Sequence, residues 1–240
     1  MIDFPPLTTS DQLVVIPLAL SLVGFLLFWF VFHSPQIKAK FHDAYEHDVA
    51  CLRHIFWVKA WGFAVMGVVP ALVMNSTLGF GLADLGVVWP AETSGAIWSW
   101  TLGLGVIVVL VAWLGARKFD PQYPQVQAKT WTKNTMVVNW LGWAFYLAGY
   151  EFLFRGVLLF PLVQELGAWP AVAINTALYS ATHVPKGRDE AIGAIPLGFL
   201  LCWVTIETGS LWPATLVHIF MAWTNTTVRF LKHPEMNWKH

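Results

Sequence analysis

Residues 12–32, QLVVIPLALSLVGFLLFWFVF, run for 21 positions without a charged side chain. A helix needs about 20 such residues to cross the hydrocarbon core of a bilayer. Backbone amides in lipid must be satisfied inside the segment, so a span of this kind is helical. The stretch has no basic leader and no small-residue cleavage site, and it reads as a retained span rather than a signal peptide. Six further apolar segments follow at roughly 55–74, 95–116, 135–160, 168–183, 191–208 and 211–229. The fourth is too long for a minimal crossing and must tilt, kink or run past the membrane surface. Only 12% of the chain is charged and 57% is hydrophobic, against about 25% charged in a soluble domain. That excludes an ordinary soluble domain and a disordered chain. The expected fold is an all-α, polytopic transmembrane helical bundle of about seven spans, and the 15 Trp suit its two interfaces with water.

Orientation follows from the basic residues, because short cytoplasmic loops retain Lys and Arg. Lys38, Lys40, Arg53 and Lys59 lie between or beside spans one and two, and Arg117, Lys118, Lys129 and Lys133 between three and four. Lys186 and Arg188 separate spans five and six, and Arg229, Lys232 and Lys239 follow span seven. Seven spans, N-out and C-in, put all of these on the cytoplasmic side. The opposite loops, 1–11, 75–94, 161–167 and 207–210, contain no Lys or Arg. One basic residue is left over, Arg155, inside span four. A multi-pass protein of the plasma (inner) membrane is expected.

No repeat and no soluble second domain is visible, so the chain reads as one integral-membrane domain. Residues 1–134 supply spans one to three and their loops, and 135–240 the remaining helices. A net charge of zero gives a nucleic-acid partner no electrostatic basis. Cys51 and Cys202 form no metal or redox motif. The loop 33–54 holds His33, His42, His47 and His54 among acids, where a hydrated juxtamembrane helix is preferred to a metal site.

Ionisable groups inside a bilayer are costly and face a cavity, a partner or a substrate path. Span four carries Glu151 and Arg155, four apart and therefore on one helix face. Span five ends in His183, followed by Lys186 and Glu190. Span seven carries His218, with Asn225 seven residues later. Each has a bland reading alone: a self-neutralising pair, an interfacial His, a solvated Glu, a packing His. Together, one Glu and two His sit on three apolar spans of the C-terminal half only. Hydrolysis needs such a set, a base for water and a donor for an oxyanion. A two-His, one-carboxylate metal site uses the same residues. On the residues alone a hydrolase, a proton or ion pathway and a structural polar network all stay open.

At these positions the chain resembles the CPBP family of intramembrane proteases (CAAX protease and bacteriocin-processing, Rce1/Abi-like). The family's Glu pair, three residues and Arg-Gly correspond to Tyr150-Glu151-Phe152-Leu153-Phe154-Arg155-Gly156. Its aromatic residue, three residues and His correspond to Tyr179-Ser180-Ala181-Thr182-His183. Its turn before the last His corresponds to Ser210-Leu211-Trp212-Pro213, followed by His218. The likeness covers roughly 135–229. There are two departures: Tyr150 stands where the family usually has the glutamate assigned as base, and Ala222 where it often has Asn. Branches with an aromatic residue before a single Glu, and with a Lys and Glu trailing the first His, look similar.

The resemblance implies an intramembrane endopeptidase, with its catalytic helices in 135–240, that hydrolyses a peptide bond of a membrane-associated protein or peptide. Glu151, with His183, would activate a water, and His218, with Asn225, would stabilise the oxyanion. Arg155 would hold Glu151 ionised, with Tyr150 and Glu190 in support. No cofactor is required on this reading, and no zinc-type H-E-x-x-H occurs. The metalloendopeptidase alternative places a divalent metal such as zinc on Glu151, His183 and His218. The non-enzymatic alternative is an inactive CPBP-fold scaffold or immunity-type binding protein, which the two departures favour. A proton-coupled transporter is weakened by the lack of an inverted repeat.

Overall fold

The computed structural model describes residues 6–88, 94–116 and 120–239. Among these the chain is all-α except for one short strand pair. Helix α1, Thr9–Phe32, starts at a capping box in which Thr8 caps the Asp11 amide and Asp11 accepts from the Thr8 amide. Helix α2, Pro35–Ala44, buries none of its residues, but the stretch 33–54 expected as one hydrated helix continues into the next helix, where Cys51 and His54 are buried against its neighbours. Helix α3, His47–Leu78, contains a π-helical turn at Ala64–Val68 and stops at Gly79, whose φ of 72° suits glycine. Helix α4 is Ser94–Gly115 and helix α5 is Lys133–Leu166, with a π segment at Phe152–Leu158. Helices α6, Ala168–Ala181, α7, Arg188–Thr208, and α8, Trp212–Lys232, complete the bundle. Strands β1, Thr130–Trp131, and β2, Asn237–Trp238, pair in parallel and tie the tail to the loop before α5.

Five helices are long and apolar enough to cross a membrane: α1, α3, the Ile97–Gly115 part of α4, α5 and α7. Two of the seven expected spans do not meet that standard. Helix α6 has 14 residues, about 21 Å at 1.5 Å each, against a core of about 30 Å. Helix α8 has the length, but His218, Asn225, Arg229 and Lys232 dilute its apolar character. Helix α5 is the overlong span, at 34 residues.

Contacts fix the relative directions. Gly142 of α5 faces Phe56 and Lys59 of α3, and Gly149 faces Gly62 and Phe63, so α3 and α5 run parallel. A Cβ on Gly149 would lie 2.8 Å from the Phe63 Cα, and one on Gly62 would lie 2.9 Å from the Phe28 and Tyr146 rings. Small residues let helices approach closely in lipid, where hydrophobicity drives no association. Helix α1 crosses this pair antiparallel to α3, with Gly24 on Val65 and the Trp61 indole donating to Leu27 O at 3.3 Å. Helices α6 and α8 run antiparallel to α5, through Asn175 on Phe154 and Trp223 on Trp140.

One of the basic residues counted for orientation is buried rather than in a loop. Lys59 is 2% exposed, with Nζ 3.6 Å from the Trp143 ring centroid. Helix α3 begins at His47, well before the apolar run, which carries Lys59 about 18 Å along its axis. Arg117 and Lys118 lie outside the described residues. The segment 79–88 closes the end of α5 beyond Arg155. Leu85 is fully buried there, a Cβ on Gly156 would lie 2.8 Å from its carbonyl, and the Leu211 amide donates to Gly86 O at 3.0 Å.

Candidate active site

Glu151 is the last α-helical residue of α5 before the π segment that carries Arg155. Single π turns inside α-helices recur at functional sites. This one is pinned from α6: Asn175 Nδ2 donates to Phe154 O at 2.5 Å, and Cys202 Sγ of α7 donates to Asn175 Oδ1 at 3.1 Å. Glu151 and Arg155 are both fully buried. Arg155 Nη1 lies 3.3 Å from Glu151 Oε2, and the guanidinium stands 4.3 Å from the Tyr179 ring centroid. That aromatic face accommodates the cation away from water.

The other Glu151 oxygen meets α8. His218 Nδ1 lies 2.5 Å from Glu151 Oε1. An ionised carboxylate only accepts, so Nδ1 carries a proton toward Glu151, and in the neutral imidazole Nε2 keeps its lone pair. His183 sits in the turn after α6 with Nδ1 2.9 Å from Tyr179 O. A carbonyl also only accepts, so in the neutral ring His183 Nε2 likewise keeps its lone pair. Two tyrosine rings gather these groups. Tyr150 stands edge-on to His183 at 6.4 Å and to His218 at 5.9 Å, and Tyr179 lies 4.8 Å and 6.3 Å from the same two rings. His183 and His218 are 8% and 7% exposed. The ion pair is fully buried, and the two imidazoles keep only this small exposure.

Asn225 does not join this group. Its Oδ1 accepts from Arg229 Nε at 2.6 Å, and Arg229 Nη1 lies 3.5 Å from Asp120 Oδ2. Glu190 stands half-buried at the start of α7, where the charges of Lys186, Arg229 and Asp120 act on it. Ala222, one turn after His218, is buried. The motifs did not flag Asn175 or Thr182. An asparagine within an apolar run was the available signal for the first, and Thr182 gave none.

Among the described residues, no group of three or more His, Cys, Asp or Glu is placed to hold a metal ion. Glu151 Oε1 meets His218 and Oε2 faces Arg155 at 3.3 Å, while His183 turns Nδ1 to Tyr179. The zinc alternative of Glu151, His183 and His218, and the histidines of 33–54, are not brought together as a group of three ligands in this arrangement.

These features define an all-α integral membrane protein with an acid–histidine site buried among its helices. Residues 132–224 match the family described as Type II CAAX prenyl endopeptidase Rce1-like. Over that segment the chain is similar to a protease family, which supports the CPBP resemblance carried by the motifs. No curated protein and no solved structure matches the chain.

Proposed function

We propose that this chain is an intramembrane endopeptidase of the CAAX-processing type, acting on a membrane-associated protein or peptide. The 2.5 Å contact between His218 Nδ1 and Glu151 Oε1 carries the reading. Arg155 supplies the counter-charge that a carboxylate needs where water is excluded. Glu151 holds His218 in one tautomer and supports the positive charge that His218 acquires. A water beside His218 Nε2 gives that nitrogen its proton while its oxygen attacks the scissile carbonyl carbon. The C–N bond then breaks as His218 returns the proton to the leaving amine. Glu151 thus acts through His218, which differs from its direct role in the motif-based expectation. Asn225, turned to Arg229, takes no part. No step passes through a metal.

The proposal includes the N-out, C-in topology with seven membrane segments and a plasma membrane location. It is tested by comparing membrane proteomes of cells carrying the wild type and Glu151→Gln. Uncleaved precursor should accumulate in the variant. A Glu151→Gln protein made at normal level that still removes the precursor ends the reading. The second reading, an inactive CPBP-fold scaffold or immunity-type binder, is favoured by Tyr150 and Ala222, and it predicts that Glu151→Gln changes no phenotype.

A further inference from the structure

We propose that Tyr150 is a positioning residue for His183 and that it acts through Thr182. The peptidase reading enters only because His183 shares the Tyr150 and Tyr179 rings with His218, so that its placement shapes the pocket beside the base; the hydrogen bonding stands apart from it. Thr182 Oγ1 lies 2.7 Å from Tyr179 O, and His183 Nδ1 lies 2.9 Å from the same oxygen. Both are donors there, and a carbonyl has two lone pairs to receive them. Thr182 Oγ1 also lies 3.3 Å from His183 Nδ1, which as a donor cannot take its proton, so the one hydroxyl proton of Thr182 goes to Tyr179 O. Tyr150 Oη lies 2.7 Å from Thr182 Oγ1, so Tyr150 donates and Thr182 accepts.

The proton order is therefore fixed from the catalytic helix outward. Tyr150 of α5 donates to Thr182, and Thr182 and His183 both donate to the last turn of α6. Tyr150 is 2% exposed and its ring packs against Phe154, Tyr146 and Tyr179. It locks the turn that carries His183 to the residue adjoining Glu151, and it holds the His183 proton on Nδ1. An ionised glutamate at position 150 could not do this, because it has no proton to give to a Thr182 already spending its own. Tyr150 and Thr182 thus form a matched pair, and the departure from the family motif is a rewired connection to the same histidine.

The test uses the full chain in lipid nanodiscs, with ¹⁵N-histidine NMR and cleavage of a farnesylated CAAX-type peptide. Tyr150→Phe removes one hydroxyl. It should lower kcat by about tenfold or more, short of the ~10²-fold that a 1 Å misplacement costs, with KM unchanged. The His183 ring should pass from a single Nδ1–H form to a mixture of tautomers. Thr182→Val should do the same, and the double variant should be no worse than either single one, since both cut one connection. Wild-type kcat with an unchanged His183 spectrum in Tyr150→Phe overturns the proposal, and so do single losses that multiply in the double variant. Melting temperatures identify any variant that merely unfolds, and the spectrum of folded Tyr150→Phe still decides. Glu151→Gln in the same assay separates the two ideas: continued cleavage sinks the peptidase reading, while the His183 spectrum alone settles the role of Tyr150.

Discussion

His218 and Glu151, 67 positions apart in sequence, meet at 2.5 Å through Nδ1 and Oε1. The contact turns two costly intramembrane groups into one unit, with Arg155 as its counter-ion. It also leaves His218 Nε2, in the neutral imidazole, with a lone pair that the contact does not use.

Turnover should therefore depend on both members alike. Glu151→Gln keeps size and hydrogen bonding but loses the charge, and activity should fall by at least about 10²-fold, the low end for general-base catalysis. His218→Gln and His218→Ala should be equally severe, since either removes the base. Peptide cleavage rates on purified protein check this. A mild His218→Gln would return His218 to the role of an oxyanion donor.

Arg155→Ala strands a buried carboxylate. Removing one partner of a buried pair costs about 3–5 kcal/mol, so melting temperature and membrane protein level should drop. Arg155→Lys keeps the charge without the planar fork and should be milder. Thermal unfolding in detergent measures both, and equal losses would show that geometry, not charge, is what Arg155 supplies.

Chelator treatment should leave peptide cleavage unchanged, because the proposed step needs only Glu151 and His218 and no three ligands are gathered to hold an ion among the described residues. Inactivation by a chelator with recovery on adding zinc would require a rearranged site.

Gly149→Ala should destabilise by about 1–3 kcal/mol, the usual range for overpacking, because its Cβ would lie 2.8 Å from the Phe63 Cα. Gly103→Ala on α4 is the control: a Cβ there meets nothing within 4 Å, and helix propensity favours alanine. Melting of the two variants side by side reads the difference.

Topology is open to cysteine labelling in a Cys51→Ser, Cys202→Ser background. Leu82→Cys should react from outside and Gln122→Cys only from the cytoplasmic side, both positions being exposed. Labelling of Leu82→Cys from the cytoplasm would reverse the whole arrangement.

The helices were legible because each apolar run exceeds what a loop can expose. Their ends were not, since a helix propagates through polar residues once nucleated, as α3 does from His47 to Lys59. The ionisable residues of the site stood out because lipid makes them expensive. Their pairing did not, because it depends on helix depth and rotation. Asn225 shows the limit: seven residues after His218 preserves the face but moves two turns, about 10 Å, along the axis, into the reach of Arg229. Thr182 carries no such cost and left no trace in the pattern.

The parallel glycine seam between α3 and α5 has a consequence for biogenesis. Two helices that point the same way cannot be joined by a tight turn, so α4 must bring the chain back before the seam can close. During synthesis, which proceeds from the N-terminus, the helix bearing Glu151 is seated only after α1, α3 and α4 are in place. The first half of the chain is the berth into which the Glu151 helix is delivered, and a truncation that spares every motif residue would still leave that helix without its seat.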